Sequence, residues 1–327
     1  MMGCGDQAGL RLDQGLGLGT RHRHASQGGD IEMSILGTEE RIAAEERVRE
    51  ALGVPMFGAY GREAAAPECS EALLRTEREI LGAQMYAYGE VWSRPALDLK
   101  TRCFITIAAL GALTRSEQLA VYVHAALNLG IPPEDVLEAL MQMGVYAGLS
   151  AASIGMDVAR EVFTERGLRK PGKGEAMTPL VPMTFEERYE AFMRVGRDLS
   201  IGRLGYGPEA KPLEMLKSGP WSIAAQDLPL EYEIGQFQGQ YGYGEIWGRP
   251  ALGYRMRSFI TVATLQAVNE NDQLHFHLNN AINLEITPEE VHEALVQVGI
   301  YCGVSGWRNA SNVARDVFLQ RGIVKPA

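Results

Sequence analysis

Cysteine is scarce in this chain of 327 residues. The four that occur, Cys4, Cys69, Cys103 and Cys302, form no CxxC pair. A disulfide framework and a dithiol redox motif are thereby excluded. No apolar run reaches the length of a membrane span. Clustered cations are also missing. The net charge is -10 and the pI is near 5.2, which argues against a surface built to hold phosphate backbones. The first residues lack the apolar stretch of a secretory signal. They are rich in Gly, carry the run Arg21-His22-Arg23-His24, and read as a disordered tail over residues 1–33, with Met33 as a second candidate start. Strand signals are rare throughout, so the expected class is all-α. With 46% hydrophobic and 22% charged residues, the chain can bury a large core and is expected to be soluble and cytoplasmic.

What the chain has in abundance is itself. Tyr86 to Gly167 lies over Tyr241 to Gly322 without a gap, at an offset of 155 residues, and 40 of 82 aligned positions are identical. A unit written twice tends to pack against its own copy, so two tandem helical bundles forming a pseudo-dimer are expected. The expected division is a first repeat over 34–167, a linker over 168–183 and a second repeat over 184–327. The linker reading rests on LRKPGKGEAMTPLVPM, with its three prolines and three cations.

Helical signals are strong. Apolar spacing predicts a helix over Glu39 to Leu52, closed by Gly53. Thr184 followed by Glu187 is a capping-box pattern, and Thr287-Pro288-Glu289-Glu290 combines an N-cap, a first-turn proline and an acidic third position. Copy one has Pro132-Pro133-Glu134-Asp135 there and loses the hydroxyl cap. Within each repeat a helix apolar nearly all round is predicted over Leu99 to Leu113 and Tyr254 to Val268, which implies burial. Further helices are predicted over Ser116 to Leu129 and Asn271 to Leu284, then up to Gly148 or Gly303. A last helix covers Ala151 to Arg166 and its counterpart.

The ordered motifs GE-x-W-x-RP-x-L, R-x-F-I-T-x-A, QL followed by A-x-N, and P-E-x-V-x-E-A-L-x-Q-x-G-x-Y-x-G occur twice. In them the chain resembles the carboxymuconolactone decarboxylase family. That resemblance implies an all-helical fold and decarboxylation of 4-carboxymuconolactone without a cofactor, as in aromatic-compound catabolism. It also implies a homo-oligomer, here three tandem chains making a pseudo-hexamer, with no nucleic acid or membrane partner. The related alkylhydroperoxidase D-like proteins need a CxxC just before a histidine. Neither Arg115 to Leu119 nor Glu270 to Leu274 contains cysteine, so a peroxidase would lack its thiolate nucleophile.

Decarboxylation of such a lactone develops a dienolate that must be stabilised and then protonated on carbon. The family's histidine aligns with His277 in copy two and with Tyr122 in copy one. The family's arginine two residues on is replaced by Asn279 and by His124. On that resemblance His277 is the expected proton donor, and Arg257 with Arg249 the expected anion stabilisers. Asn279, Asn280 or Tyr301 would orient the ligand, while Tyr122, His124 and Arg102 are the copy-one counterparts. Glu245 and Glu90 are candidate partners for Arg249 and Arg94. His275 lies about 200° around a helix from His277, so the pair makes no single metal site. Glu138, Gln142 and Tyr146, matched by Glu293, Gln297 and Tyr301, recur at four-residue steps, and are expected to zip the copies together or to line a pocket. Trp92 and Trp247 read as packing anchors. Two other functions fit the sequence: a lyase or isomerase tailoring a larger acid, and a non-catalytic scaffold in which His277 is sealed from any cavity.

Overall fold

The computed structural model describes residues 38–54, 85–169, 182–199, 203–204, 211–212, 233–235 and 237–326. All of them belong to one compact unit, Leu36–Ala327. The tail expected over 1–33, Cys4, Cys69 and most of the expected linker lie outside the described residues.

Repeat 1 supplies α1 (Thr38–Leu52), a π-helix π1 (Met85–Trp92), α2 (Leu99–Ala112), α3 (Ser116–Asn128), α4 (Pro133–Ala147) and α5 (Leu149–Glu165). Repeat 2 supplies α6 (Phe185–Asp198), π2 (Gln238–Trp247), α7 (Tyr254–Ala267), α8 (Asn271–Asn283) and α9 (Pro288–Gln320). Gly303, at φ 82° and ψ 172°, interrupts α9. It is therefore two helices end to end, as α4 and α5 are about Gly148 at φ 90°. Only glycine takes such angles without a steric penalty. Within repeat 2, between α6 and π2, Arg203–Leu204 (β1) and Lys211–Pro212 (β2) form a two-residue antiparallel pair. The class remains all-α.

The helix boundaries follow the caps. Thr184 and Thr287 both make full capping boxes, to Glu187 and Glu290. Pro132 offers α4 no side-chain cap, whereas Asp98 caps α2 through Thr101 N at 2.8 Å and Gly253 gives α7 none. The two repeats thus divide their caps differently.

The continuous apolar surface predicted for α2 and α7 is explained by where they lie. They pack against each other at the centre, and each is also crossed by the other repeat's helix, α4 on α7 and α9 on α2. Ile105, Ile107 and Ile260 are fully enclosed there, and burying each such side chain stabilises by roughly 1.5–3 kcal/mol.

The two π-helices fall in stretches for which the sequence predicted no element. Each lies on the first helix of its repeat, π1 on α1 and π2 on α6. Glycine permits the approach: a Cβ at Gly89 would sit 2.6 Å from the Arg41 carbonyl oxygen, and one at Gly244 would sit 2.5 Å from that of Arg188. This contact fixes Tyr88 and Trp92 on π1, and Tyr243 and Trp247 on π2, where they face the inner helices.

Candidate active site at the repeat interface

Two related aromatic cages result, and each is built from both repeats. In the first, Tyr88, Trp92 and Tyr122 of repeat 1 meet Tyr301 of repeat 2. Trp92 stacks on Tyr122 at 5.5 Å between ring centroids, and Trp92 Nε1 donates to Tyr301 Oη at 3.0 Å. Tyr301 Oη donates to Tyr122 Oη at 2.8 Å, and the Tyr122 and Tyr88 hydroxyls are 3.0 Å apart. In the second, Tyr243, Trp247 and His277 of repeat 2 meet Tyr146 of repeat 1. Trp247 Nε1 donates to Tyr146 Oη at 2.8 Å. The His277 ring stacks on Trp247 at 6.0 Å and stands edge-on to Tyr146 at 4.9 Å.

The cages differ in how their polar atoms are satisfied. Tyr122 is bonded at its hydroxyl, but neither ring nitrogen of His277 has a partner, although the residue is 1% exposed. The Asn280 amide, one turn along α8, and the Ser258 hydroxyl on α7 are likewise buried and unpartnered. Their copy-one counterparts are Ala125 and Cys103. Buried polar groups are almost always paired, so repeat 2 concentrates unused hydrogen-bonding capacity where repeat 1 has little. Burial pulls the His277 pKa down to about 3, so the imidazole is neutral near pH 7.

Beneath each cage lies an ionic triad that crosses the repeats. Arg257, fully buried, donates to Glu138 Oε2 at 2.9 Å, to Gln142 Oε1 at 3.0 Å, and to the carbonyls of Leu252 and Arg249. Arg249 Nε donates to Glu138 Oε1 at 2.6 Å. The mirror set joins Arg102 and Arg94 to Glu293, and Arg102 to Gln297. Burial opposes ionisation of Glu138, but the hydrogen bonds from Arg249 and Arg257 outweigh it and hold its carboxyl below the usual range. Burial lowers the Arg257 and Arg102 guanidinium pKa values, with Glu138 and Glu293 opposing. The stripe at four-residue steps therefore zips the repeats together, and its final tyrosines also line the cages.

Several sequence expectations are relocated. Tyr301, expected beside His277, belongs to the Tyr122 cage, and Tyr146 takes the place at His277, because α4 and α9 each cross to the opposite repeat. Arg257 and Arg102 spend their donors on the interface triads. Glu245 pairs with Arg188 at 3.0 Å and Glu90 with Arg41, so neither partners the arginine before its proline. Asn279 points away from His277 toward the last helix, where its Oδ1 accepts from Arg321 Nε at 2.7 Å. His124 does the same in repeat 1, accepting from Arg166 Nε at 3.0 Å with Glu165 at 3.2 Å. It does not reach the His277 cage. Sequence reading overlooked Tyr243 and Ser258, and named Tyr146 only within the four-residue stripe, not at His277. Tyr243 precedes the Trp247 anchor by four residues, the spacing that could have marked it.

A surface groove of about 700 Å³ runs between α4, α5 and π2. Gly144, Val145 and Tyr241 line it, within two residues of Tyr146 and Tyr243 in the chain. A smaller depression of about 310 Å³ lies at Trp92 and Arg94. His277 lines neither. Among the described residues no three His, Cys, Asp or Glu side chains converge as metal ligands, and no helix is long and apolar enough to cross a membrane.

The fold and its cages define a duplicated all-helical protein in which each cage is completed across the repeat boundary. The carboxymuconolactone decarboxylase family matches residues 82–161 and 233–316, half of the chain, and the chain belongs to that family. It is 41% identical over 83 residues to 4-carboxymuconolactone decarboxylase of Acinetobacter baylyi, covering 25% of this chain and 62% of that protein. A 15.0 kDa protein from the nqo9-nqo10 intergenic region of Paracoccus denitrificans is 35% identical over 81 residues, covering 24% and 60%. Nitrosuccinic acid decarboxylase of Metarhizium robertsii is 31% identical over 80 residues, covering 24% and 56%. The chain thus spans about six tenths of the length of these curated relatives. Two of the three are named as decarboxylases, which supports a decarboxylase reading at the level of the family.

Proposed function

We propose that the chain is a cofactor-independent decarboxylase of a small carboxylated lactone, 4-carboxymuconolactone or a close analogue, working at the His277 cage. One observation carries this reading: a buried histidine with two unpartnered nitrogens, walled by Trp247 and Tyr146, where repeat 1 has a tyrosine whose hydroxyl is bonded to Tyr301 and Tyr88. Cleavage of the C–CO2 bond sends its electron pair through the unsaturated ring to the lactone carbonyl oxygen. Carbon dioxide leaves, and His277 returns a proton to carbon.

Because His277 is neutral in the free protein, that proton arrives with the substrate. A carboxylate bound beside the imidazole favours the charged form and raises its pKa. One proton enters with each anion and leaves on the product. Asn280 offers an unpartnered amide to orient the ring. Arg249, paired with Glu138 through one side of its guanidinium but with its side chain 44% exposed, is the cation assigned to a retained carboxylate. Arg257 acts by positioning Glu138 and Gln142. The groove at Gly144 and Tyr241 is the approach. Carbon dioxide release, measured across a panel of muconolactone-like acids, tests the reading. Wild-type turnover by His277→Ala would remove the proposed acid.

A second reading, a non-catalytic binding protein, is favoured by the enclosure of His277 and its absence from the surface grooves. A folded protein that releases no carbon dioxide from any member of the panel would establish it instead.

A further inference from the structure

In their rings and in the hydrogen-bonded chain that leads to them, the two cages share every part but one. In repeat 1 a run of hydrogen bonds leads from the buried Arg102 Nη1 to Gln297 Oε1 at 3.0 Å, and from Gln297 Nε2 to Thr106 Oγ1 at 3.1 Å. Thr106 and the Trp92 indole both bond the Tyr301 hydroxyl. Tyr301 then donates to the Tyr122 hydroxyl, which Tyr88 holds from the other side. In repeat 2, Arg257 Nη1 donates to Gln142 Oε1 at 3.0 Å and Gln142 Nε2 to Thr261 Oγ1 at 3.0 Å. Thr261 and Trp247 bond the Tyr146 hydroxyl. There the sets diverge. His277 stands at the Tyr122 position without a phenol oxygen, and Tyr243 bonds Tyr146 directly.

Repeat 1 therefore displays an oxygen on an unsaturated six-membered ring, held between two phenol hydroxyls and covered by a stacked indole. That oxygen belongs to the protein. In repeat 2 the same two hydroxyls are present and bond each other, the ring oxygen between them is missing, and the His277 ring beside Tyr146 has both nitrogens unpartnered. We propose that Tyr146 and Tyr243 are the oxyanion-binding pair of the His277 centre, receiving the enolate or phenolate oxygen of a planar ring where Tyr122 supplies its own oxygen in repeat 1.

The inference rests on the decarboxylase reading for its reaction. In that reaction the electron pair of the broken C–CO2 bond ends on the lactone carbonyl oxygen, chemically close to a phenolate. The two phenols share their hydrogens with it and transfer neither, while His277 protonates carbon. Burial pushes both phenol pKa values up, so both remain protonated donors at neutral pH. Gln142 donates to the Thr261 oxygen, which leaves the Thr261 hydrogen for Tyr146. Tyr146 then accepts from Thr261 and from the Trp247 indole, and its own hydrogen, held by Tyr243 in the free protein, is the one that turns to the ligand when an oxygen enters between the two phenols. Repeat 1 is by the same argument a self-filled site, and the chain has one working centre.

The mirror cage supplies the control. Tyr146→Phe, Tyr243→Phe, Tyr88→Phe and His277→Tyr are compared by carbon dioxide release from 4-carboxymuconolactone and by the absorbance of bound 4-nitrophenol, which reports its ionisation. Tyr146→Phe and Tyr243→Phe are each expected to lower kcat by about 100-fold, with a smaller change in KM, as removal of one oxyanion donor does. Both should lose the phenolate signal. Tyr88→Phe removes a comparable buried hydroxyl and should leave both readouts near wild type, whereas His277→Tyr should abolish nitrophenolate binding by filling the second cage. Equal losses in Tyr243→Phe and Tyr88→Phe, no phenolate bound by the wild type, or undiminished binding by His277→Tyr would each overturn the pair. Nitrophenolate bound as expected, without decarboxylation of any lactone, would reject the decarboxylase and keep the pair. Turnover unchanged in both Tyr146→Phe and Tyr243→Phe would do the reverse.

Discussion

Glu138 of repeat 1 accepts from Arg257 of repeat 2 at 2.9 Å, both of them buried. Arg102 and Glu293 make the same bond at 2.8 Å with the repeats exchanged. A buried guanidinium is tolerable only while its carboxylate is present, because each compensates the desolvation of the other. The two repeats are locked by charge as well as by the apolar faces of α2 and α7. Glu138→Ala should destabilise by roughly 3–5 kcal/mol, read as a lowered denaturation midpoint, and Glu293→Ala should cost about the same. A loss at Glu138 no larger than that of a surface substitution would count against the lock.

Acid should weaken the fold in two windows. The His277 pKa falls from 6.5 to about 3 on folding, so between those values the unfolded chain binds the extra proton. Stability then rises with pH across this interval and is lost as pH falls through it, by up to about 1.4 kcal/mol per pH unit. Glu138, held below the usual carboxylate range, acts in the same direction at lower pH. In His277→Phe the loss between pH 6.5 and the carboxylate range should flatten, which denaturation midpoints measured along a pH series would reveal.

Ligand binding should move a proton. If a carboxylate settles beside neutral His277, nearly one proton is taken up per ligand near pH 7. Calorimetric titration in buffers of different ionisation enthalpy measures this directly. Heats that do not vary with buffer would mean that the imidazole stays neutral, and would remove it as the acid.

Gly244→Ala should uncouple stability from symmetry. The new Cβ would meet the Arg188 carbonyl oxygen at 2.5 Å, so π2 must move away from α6 at a cost of roughly 1–3 kcal/mol. Gly89→Ala meets Arg41 in the same way at 2.6 Å and should cost a similar amount. Only Gly244→Ala displaces Tyr243 and Trp247, so only it should depress turnover. Parallel melting curves and rate assays of the two variants decide the point.

Much of the helical frame was legible. Thr184 and Thr287 announced their helices by capping chemistry, and Gly148 and Gly303 marked breaks that their positive φ angles explain. The π-helices were not legible. Their i→i+5 pattern carries no distinctive residue spacing, and Gly89 and Gly244 look like turn residues until the backbone beside them is seen. At the site, His277 and Trp247 were visible as residue types, whereas Asn279 was assigned to the pocket and lies on the opposite side of α8, held by Arg321.

The sequence by itself determined that one helical unit occurs twice, that its inner helices are buried, and that the copies differ at the position of His277 and Tyr122. It could not determine which copy serves which. Glu138 and Glu293, like Tyr146 and Tyr301, sit in identical local patterns, so partners within a repeat and partners across repeats satisfy the same spacing. Only the tertiary structure decided it. Packing α4 on α7 and α9 on α2 buries the apolar faces of both repeats at once, and it carries each glutamate and tyrosine to the other repeat's arginine and tryptophan.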